Sequence, residues 1–274
     1  MESRLTFREK TDVCWQKQLR DKYLIDGVPD VDLNIKKAIV RPVSRNLAAQ
    51  IIYKYEWLGT MASAVNRFYG IFFGVYCAGV TTFASAGYNL PSLAKTFGID
   101  GGKLAYLGRG ANVHWSPKGA NSKLIGWSLK YEKKLGNKLA IAFSDTDAGE
   151  IGTVYQATNW IYIGTGSTWN QWISPRGKIW SFNRFTSWCK GNRMSTTEGK
   201  NLLINKRWKL QKTNPKHRYV FILDDSDDRL VGLVESMRKP YPKRGAGETD
   251  NAAQSNVQTG GASPTAPLLE SEVT

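Results

Sequence analysis

Cysteine is scarce in this chain: Cys14, Cys77 and Cys189 are scattered over 274 residues. An odd number so widely spaced excludes a disulfide framework and a cysteine-rich zinc site, and it fits a reducing compartment. Histidine is scarcer still. His114 and His217 are too few for a multi-histidine centre, so no metal is expected. The opening MESRLTFREK has no apolar core of the kind that leads a secreted chain, so a cytoplasmic protein without a signal peptide is expected. The familiar catalytic signatures are missing as well. There is no GxGxxG in strand–helix context, no GxxxxGK[ST], no HExxH and no GxSxG.

Charge is absent from one long stretch, Phe68–Ala94, which is long enough to cross a bilayer. Six helix-breaking or polar positions (Gly70, Gly74, Gly79, Gly87, Asn89 and Pro91) interrupt it, and its apolar residues are β-branched and aromatic. That composition predicts two buried strands of one sheet rather than a membrane helix.

Acidic residues are few: 23 against 38 Lys and Arg, a net charge of +15. Four of the acids fall in residues 245–274, a Gly/Ala/Ser/Thr-rich tail without a cation that reads as disordered. Residues 1–244 therefore hold 38 cations against 19 acids, +19. Such a surplus points to a polyanionic partner, although solubility alone also favours net charge. What the chain does have is tryptophan, ten in all. Six of them lie between Trp160 and Trp208, among eight cations and one acid, Glu198. Cations follow a phosphate backbone and flat rings stack on bases. Four of those six rings are expected to pack inside, leaving one or two for a ligand.

The chain reads as an α/β fold. Residues 1–35 form an N-terminal arm with some helix. Ala38–Val43 is a strand, and Ser44 caps a helix whose apolar face is Leu47, Ala48, Ile51, Ile52 and Tyr55, with Gly59 as the stop. Tyr88–Ile99 is a loop or short helix. Lys103–Trp115 is extended. Ala120–Leu135 is a helix with Leu124, Trp127, Tyr131 and Leu135 on one face. Lys138–Ser144 is a buried strand, Thr153–Trp160 a short helix and Ile161–Ile163 the last strand of the unit. This alternation implies a right-handed crossover and a partly parallel sheet, with ligands beyond its carboxyl ends. Tyr219–Leu223 is a further strand and Arg229–Met237 a helix.

Three positions at those ends carry chemistry. Ser122 lies in the first turn of the 120–135 helix, where it caps the helix or meets an anion held by the amides. Asp145 ends a strand, where a carboxylate takes a proton or closes a turn. Tyr155 offers a phenolic proton or packs on the sheet.

The stretches IIYKYEWLGTM (51–61), LGRGANVHWSPKGANSKLIG (107–126), FSDTDAGEIGTVYQATNWIYIG (143–164), PKHRYVF (215–221) and PYPKR (240–244) carry a resemblance over most of residues 38–244. The chain resembles the GNAT superfamily of N-acyltransferases and, within it, the Mom family of phage DNA-adenine modification proteins. The resemblance implies a GNAT-like mixed central sheet flanked by helices, residues 36–192, with a basic Trp-rich extension, residues 193–244, and the disordered tail. It implies transfer of a small acyl or carbamoyl group to the exocyclic amine of adenine in double-stranded DNA. DNA so modified resists restriction, and the enzyme works in the host bacterial cytoplasm. Carried across by motif, Arg109, Ser122, Asp145, Tyr155 and Glu56 are the catalytic candidates. Tyr55, Trp57, Asn159, Trp160, Lys216, His217 and Arg218 are the candidates for contact with substrate or DNA. Trp57 or Trp160 would stack on an extruded base.

Two features depart from the family pattern. Glu56 and Glu150 stand where histidines are expected. The Q/R-x-x-G-x-G/A loop of acetyl-CoA users is missing, with KGANSK in its place, so the donor is left open between acetyl-CoA or a related acyl donor and another compound. Two other functions fit the same sequence: N-acyl transfer to a protein or small-molecule amine, and non-catalytic DNA binding.

Overall fold

The structure is a computed structural model that describes residues 15–62, 64–85, 90–177 and 179–243. The expected tail, 245–274, and Cys14 lie outside the described residues. The fold below is that of the unit ending at Tyr241.

Seven strands make the central sheet: β1 (Ile39–Pro42), β2 (Arg67–Phe73), β3 (Tyr76–Ala84), β4 (Leu104–Asn112), β5 (Leu139–Ser144), β6 (Ile161–Thr165) and β10 (His217–Ile222), in the order β1-β2-β3-β4-β5-β10-β6. All neighbours are antiparallel except β4 and β5. Residues 68–84 of the uncharged stretch are thus the β2–β3 hairpin, and among the described residues no helix is long and apolar enough to cross a membrane. The parallel pair is joined by α4 (Ala120–Lys134), the crossover that the sequence implies.

Both faces of the sheet are covered. Ala105, Leu107, Ala140 and Ala142 face α2 (Arg45–Tyr55) and α4. Leu104, Leu139 and Ile141 face α3 (Leu90–Thr96) and α8 (Asp228–Ser236). This two-sided burial explains why β5 reads LAIAFS without polar alternation. Ser44 caps α2 as expected, its hydroxyl accepting the Leu47 N–H. The helix ends at Tyr55, before Gly59, which lies in the turn that follows.

The buried side of α4 differs from the face read in the sequence. Leu135 is half exposed, and Glu132 is buried in its place. The Glu132 carboxylate accepts hydrogen bonds from the Arg67 guanidinium, the Tyr69 hydroxyl (2.7 Å) and the Asn137 amide (2.8 Å), so the charge is fully met.

After β6 the chain leaves the sheet and builds a subdomain. It comprises β7 (Asn170–Ile173), β8 (Ile179–Ser181), α6 (Phe182–Gly191), α7 (Thr196–Asn205) and β9 (Lys209–Lys212), with strand order β8-β7-β9. The chain then returns as β10, between β5 and β6. The boundary drawn at 192/193 in the sequence therefore falls between α6 and α7 of one subdomain. Residues 193–244 are not a separate extension, because they supply a central strand of the main sheet. Ile161–Ile163, expected as the last strand of the unit, lies in the edge strand β6, and the further strand expected at Tyr219–Leu223 is β10, inserted between β5 and β6.

Candidate active site

β4 and β5 pair only from Leu104↔Leu139 to Leu107↔Ala142. Beyond that point β4 follows β3, with Gly108 as an extra residue between Leu107 and Arg109, while β5 follows β10. A bulge of this kind bends its strand and ends pairing. The two parallel strands part, and the gap opens at the carboxyl end of β5, where a crossover sheet places its ligands.

Six side chains from six segments meet there. Asp145 ends β5, and its Oδ2 lies 2.6 Å from Lys216 Nζ at the entry to β10. The Asp145 N–H donates to Glu150 Oε2 at 3.2 Å. Glu56 enters from the end of α2. Its Oε2 accepts the Leu58 and Gly59 N–H groups at 2.9 and 3.0 Å, and its Oε1 is 3.9 Å from Arg109 Nε. Arg109, on β4, also donates to the Thr60 carbonyl at 3.1 Å. Tyr155, from the short helix α5 (Thr153–Gln156), lies within the electrostatic reach of Glu150 and Arg109.

Three carboxylates close together in a partly dry gap do not all ionise readily. Burial pushes the Glu150 carboxyl up to about 7; its hydrogen bond from the Asp145 N–H opposes the shift, the Asp145 and Glu56 charges add to it, and Lys216 offsets part of it. Burial also raises Glu56, against Arg109 and its two backbone donors. Burial, then Glu150, raises the Tyr155 phenol far above its ordinary range, so it keeps its proton. The site thus pairs a carboxyl that titrates near neutrality with a phenol that stays protonated. Among the described residues no three His, Cys, Asp or Glu side chains are arranged to hold a metal ion.

The loop under the site is fixed by Gly152. Its φ is +70°, and any Cβ there would run into the Tyr219 ring. The Tyr219 hydroxyl donates to the Ile151 carbonyl at 2.6 Å.

The structure therefore gathers Glu56, Arg109, Asp145, Tyr155 and Lys216 from the sequence candidates and adds Glu150. Other candidates lie elsewhere. Ser122 is half-buried in the first turn of α4, but the cap is Gly119, through its backbone alone. Tyr55 is buried, with its hydroxyl 2.9 Å from His114 Nδ1 and its ring against Tyr23. Asn159 is exposed with φ +60° at the end of α5, where a short polar residue tolerates the left-handed turn. Trp160 is wholly buried, with its ring against Tyr155 and Phe221, so it does not stack on a base. Trp57 is half-buried, next in sequence to Glu56, and its backbone N–H donates to Gln16 Oε1 at 3.2 Å. His217 pairs with the Tyr162 hydroxyl at 3.0 Å. Arg218, one residue on, points to the opposite face and lines a cavity of about 250 Å³ with Phe97, Ile163 and Lys239.

Residues 37–243 match the Mom protein family, and the chain belongs to that family. No curated protein matches it in sequence. Several solved acetyltransferases resemble it in structure. An N-acetyltransferase from Staphylococcus aureus Mu50 is 13% identical, with 69% of this chain and 99% of that chain covered and a TM-score of 0.37. A Bacillus subtilis acetyltransferase in complex with CoA is 10% identical, with 68% and 99% covered and a TM-score of 0.39. A Vibrio cholerae spermidine N-acetyltransferase in complex with CoA and spermine is 8% identical, with 72% and 99% covered and a TM-score of 0.39.

Proposed function

We propose that this protein modifies adenine in double-stranded DNA, transferring a small acyl or carbamoyl group to the exocyclic amine. The observation that carries this reading is Glu150, a carboxyl titrating near 7 beside Asp145, Glu56 and a protonated Tyr155 in the gap between β4 and β5. Membership of the Mom family supports the substrate, and the cationic surplus suits a phosphate backbone.

An adenine amine within the duplex is out of reach, so the base is extruded, at a cost of a few kcal/mol. Trp57, half-buried and next in sequence to Glu56, is the aromatic assigned to stack on it. As the amine nitrogen attacks the donor's carbonyl carbon, Glu150 takes the amine proton. Tyr155 gives its proton to the departing group as the bond from carbonyl carbon to that group breaks. Lys216 holds Asp145, and Asp145 through its N–H holds Glu150. Arg109 lies on the other wall, where its charge suits a developing oxyanion. An acyl-CoA thioester is one class of donor. The amides of Asn121 and Ser122, which lack a hydrogen-bond partner among the described residues, suit its phosphates at the start of α4.

The test is expression in bacteria, digestion of total DNA to nucleosides and mass spectrometry, with Arg109→Ala as control. A new adenosine species made by the native chain alone supports the reading, and its added mass identifies the group. Acylation of a protein or polyamine, with unmodified DNA, would overturn it.

A further inference from the structure

The subdomain spanning β7 to β9 takes no part in the chemistry above. Its core is Trp172, Phe185, Cys189 and Leu203, with Trp180, Trp188 and Trp208 packed against it. Trp180 lies 5.4 Å from Trp188 and 4.7 Å from Trp208, ring centre to ring centre. These rings serve as the interior of a unit with little aliphatic core, so they are not a platform for bases.

Its surface is the unusual part. Residues 170–212 hold ten Lys and Arg and one acid, Glu198. That carboxylate is engaged locally, accepting the Ser195 N–H at 2.7 Å in a capping box. Among the described residues no cation of the subdomain forms an ion pair. Elsewhere among the described residues some cations pair, as Lys37 does with Asp32, Lys54 with Asp26, Lys133 with Asp225 and Arg238 with Glu235, while exposed lysines such as Lys95, Lys118, Lys130 and Lys134 do not. A surface built for solubility interleaves both signs. This one leaves Lys200, Lys206, Lys209 and Lys212 exposed and unopposed.

A second observation is independent of charge count. Arg193 and Arg207 have left-handed backbones, φ +52° and +59°. Each follows a helix, α6 or α7, at the position where glycine is favoured because it has no Cβ. Glycine is available nearby, at Gly191, two residues before Arg193, yet it stands inside the helix and the arginine takes the turn. Attraction to the helix dipole does not require this, since a cation in the last turn achieves it without left-handed backbone. Backbone strain retained at a residue that fold stability does not favour is a mark of use.

We propose that this subdomain is the duplex-docking surface of the protein, with Arg193, Arg207 and the lysines of α7 and β9 gripping DNA phosphates away from the base being modified. The inference rests on the reading of DNA as substrate. It adds that affinity and chemistry lie on separate parts of the chain.

The test uses the full chain and a duplex of about 30 base pairs, with dissociation constants measured across a salt series. Each phosphate contact contributes about 0.9 to the slope of log affinity against log salt. Arg193→Gly/Arg207→Gly is expected to weaken binding roughly tenfold or more at low salt and to flatten the slope by about 2. Its melting temperature holds or rises, because glycine relieves the left-handed turns; a merely structural role would lower it. Lys206→Gln/Lys209→Gln/Lys212→Gln, which leaves those turns untouched, is expected to flatten the slope by about 3. Native affinity and slope in both variants, with native DNA modification intact, would overturn the docking surface and leave the enzyme reading standing. Failure of the native chain to bind duplex in a salt-dependent way, with no modified nucleoside, would overturn both.

Discussion

Glu150 sets the pH behaviour expected of the site. As a base it must be ionised, and burial among Asp145 and Glu56 brings it to about 7. Transfer rate at limiting DNA should therefore rise with pH through about 7 and level off above. A profile flat from pH 5 to 9 would remove Glu150 from the proton path. The same shift has a consequence for stability. A carboxyl raised on folding from 4.5 contributes stability that is full below that value and is lost as pH rises through about 7. Glu150→Gln keeps an acceptor for the Asp145 N–H and removes the charge. It should abolish modification while stabilising the fold at pH 8 by roughly 2–4 kcal/mol. Loss of both activity and stability would mark Glu150 as a structural residue. The sequence named Asp145, Glu56, Arg109 and Tyr155 and passed over Glu150, which stood out only as a departure from a family pattern. Its environment is what makes it chemical, and the four loop residues between Asp145 and Glu150 do not reveal how deeply either one sits. Trp160 misled for the converse reason: an indole reads the same in sequence whether it stacks on a ligand or fills a core.

At the scale of elements, the period-two and helical patterns located nearly every strand and helix of the main sheet. Two matters were not legible. The bulge at Gly108 is a property of register, set by how β3 and β4 pair, and no local pattern announces it. The placement of β10 between β5 and β6 is a long-range pairing of a segment more than fifty residues downstream of β6. The α5 loop offers a direct check of the architecture. Gly152 combines positive φ with contact against the Tyr219 ring, so Gly152→Ala should cost on the order of 2–4 kcal/mol and lower activity by displacing Glu150 and Tyr155. A native melting temperature for that variant would show that the loop does not lean on Tyr219.

Across the whole molecule, charge and chemistry divide. Glu56, Asp145 and Glu150 meet in the gap between β4 and β5, whereas the described cations of the β7–β9 subdomain face a single acid, Glu198, and form no ion pair among the described residues. Net charge pointed to a polyanion, and the 160–208 window already gathered cations around tryptophans of which four were expected inside, but the sequence did not show that these residues build one subdomain. The subdomain escaped the sequence reading because its strands have only three or four residues each, too short for periodicity to register. A substrate gripped on one surface and modified on another has its affinity and turnover set by different residues.

The most direct test of this account is the nucleoside mass spectrum of DNA from cells making the native chain and from cells making Glu150→Gln. The account predicts a heavier adenosine in the first sample and only ordinary adenosine in the second, with both proteins folded and binding duplex. The same heavier adenosine from Glu150→Gln would contradict the assigned base, and no heavier adenosine from either would contradict the proposed reaction.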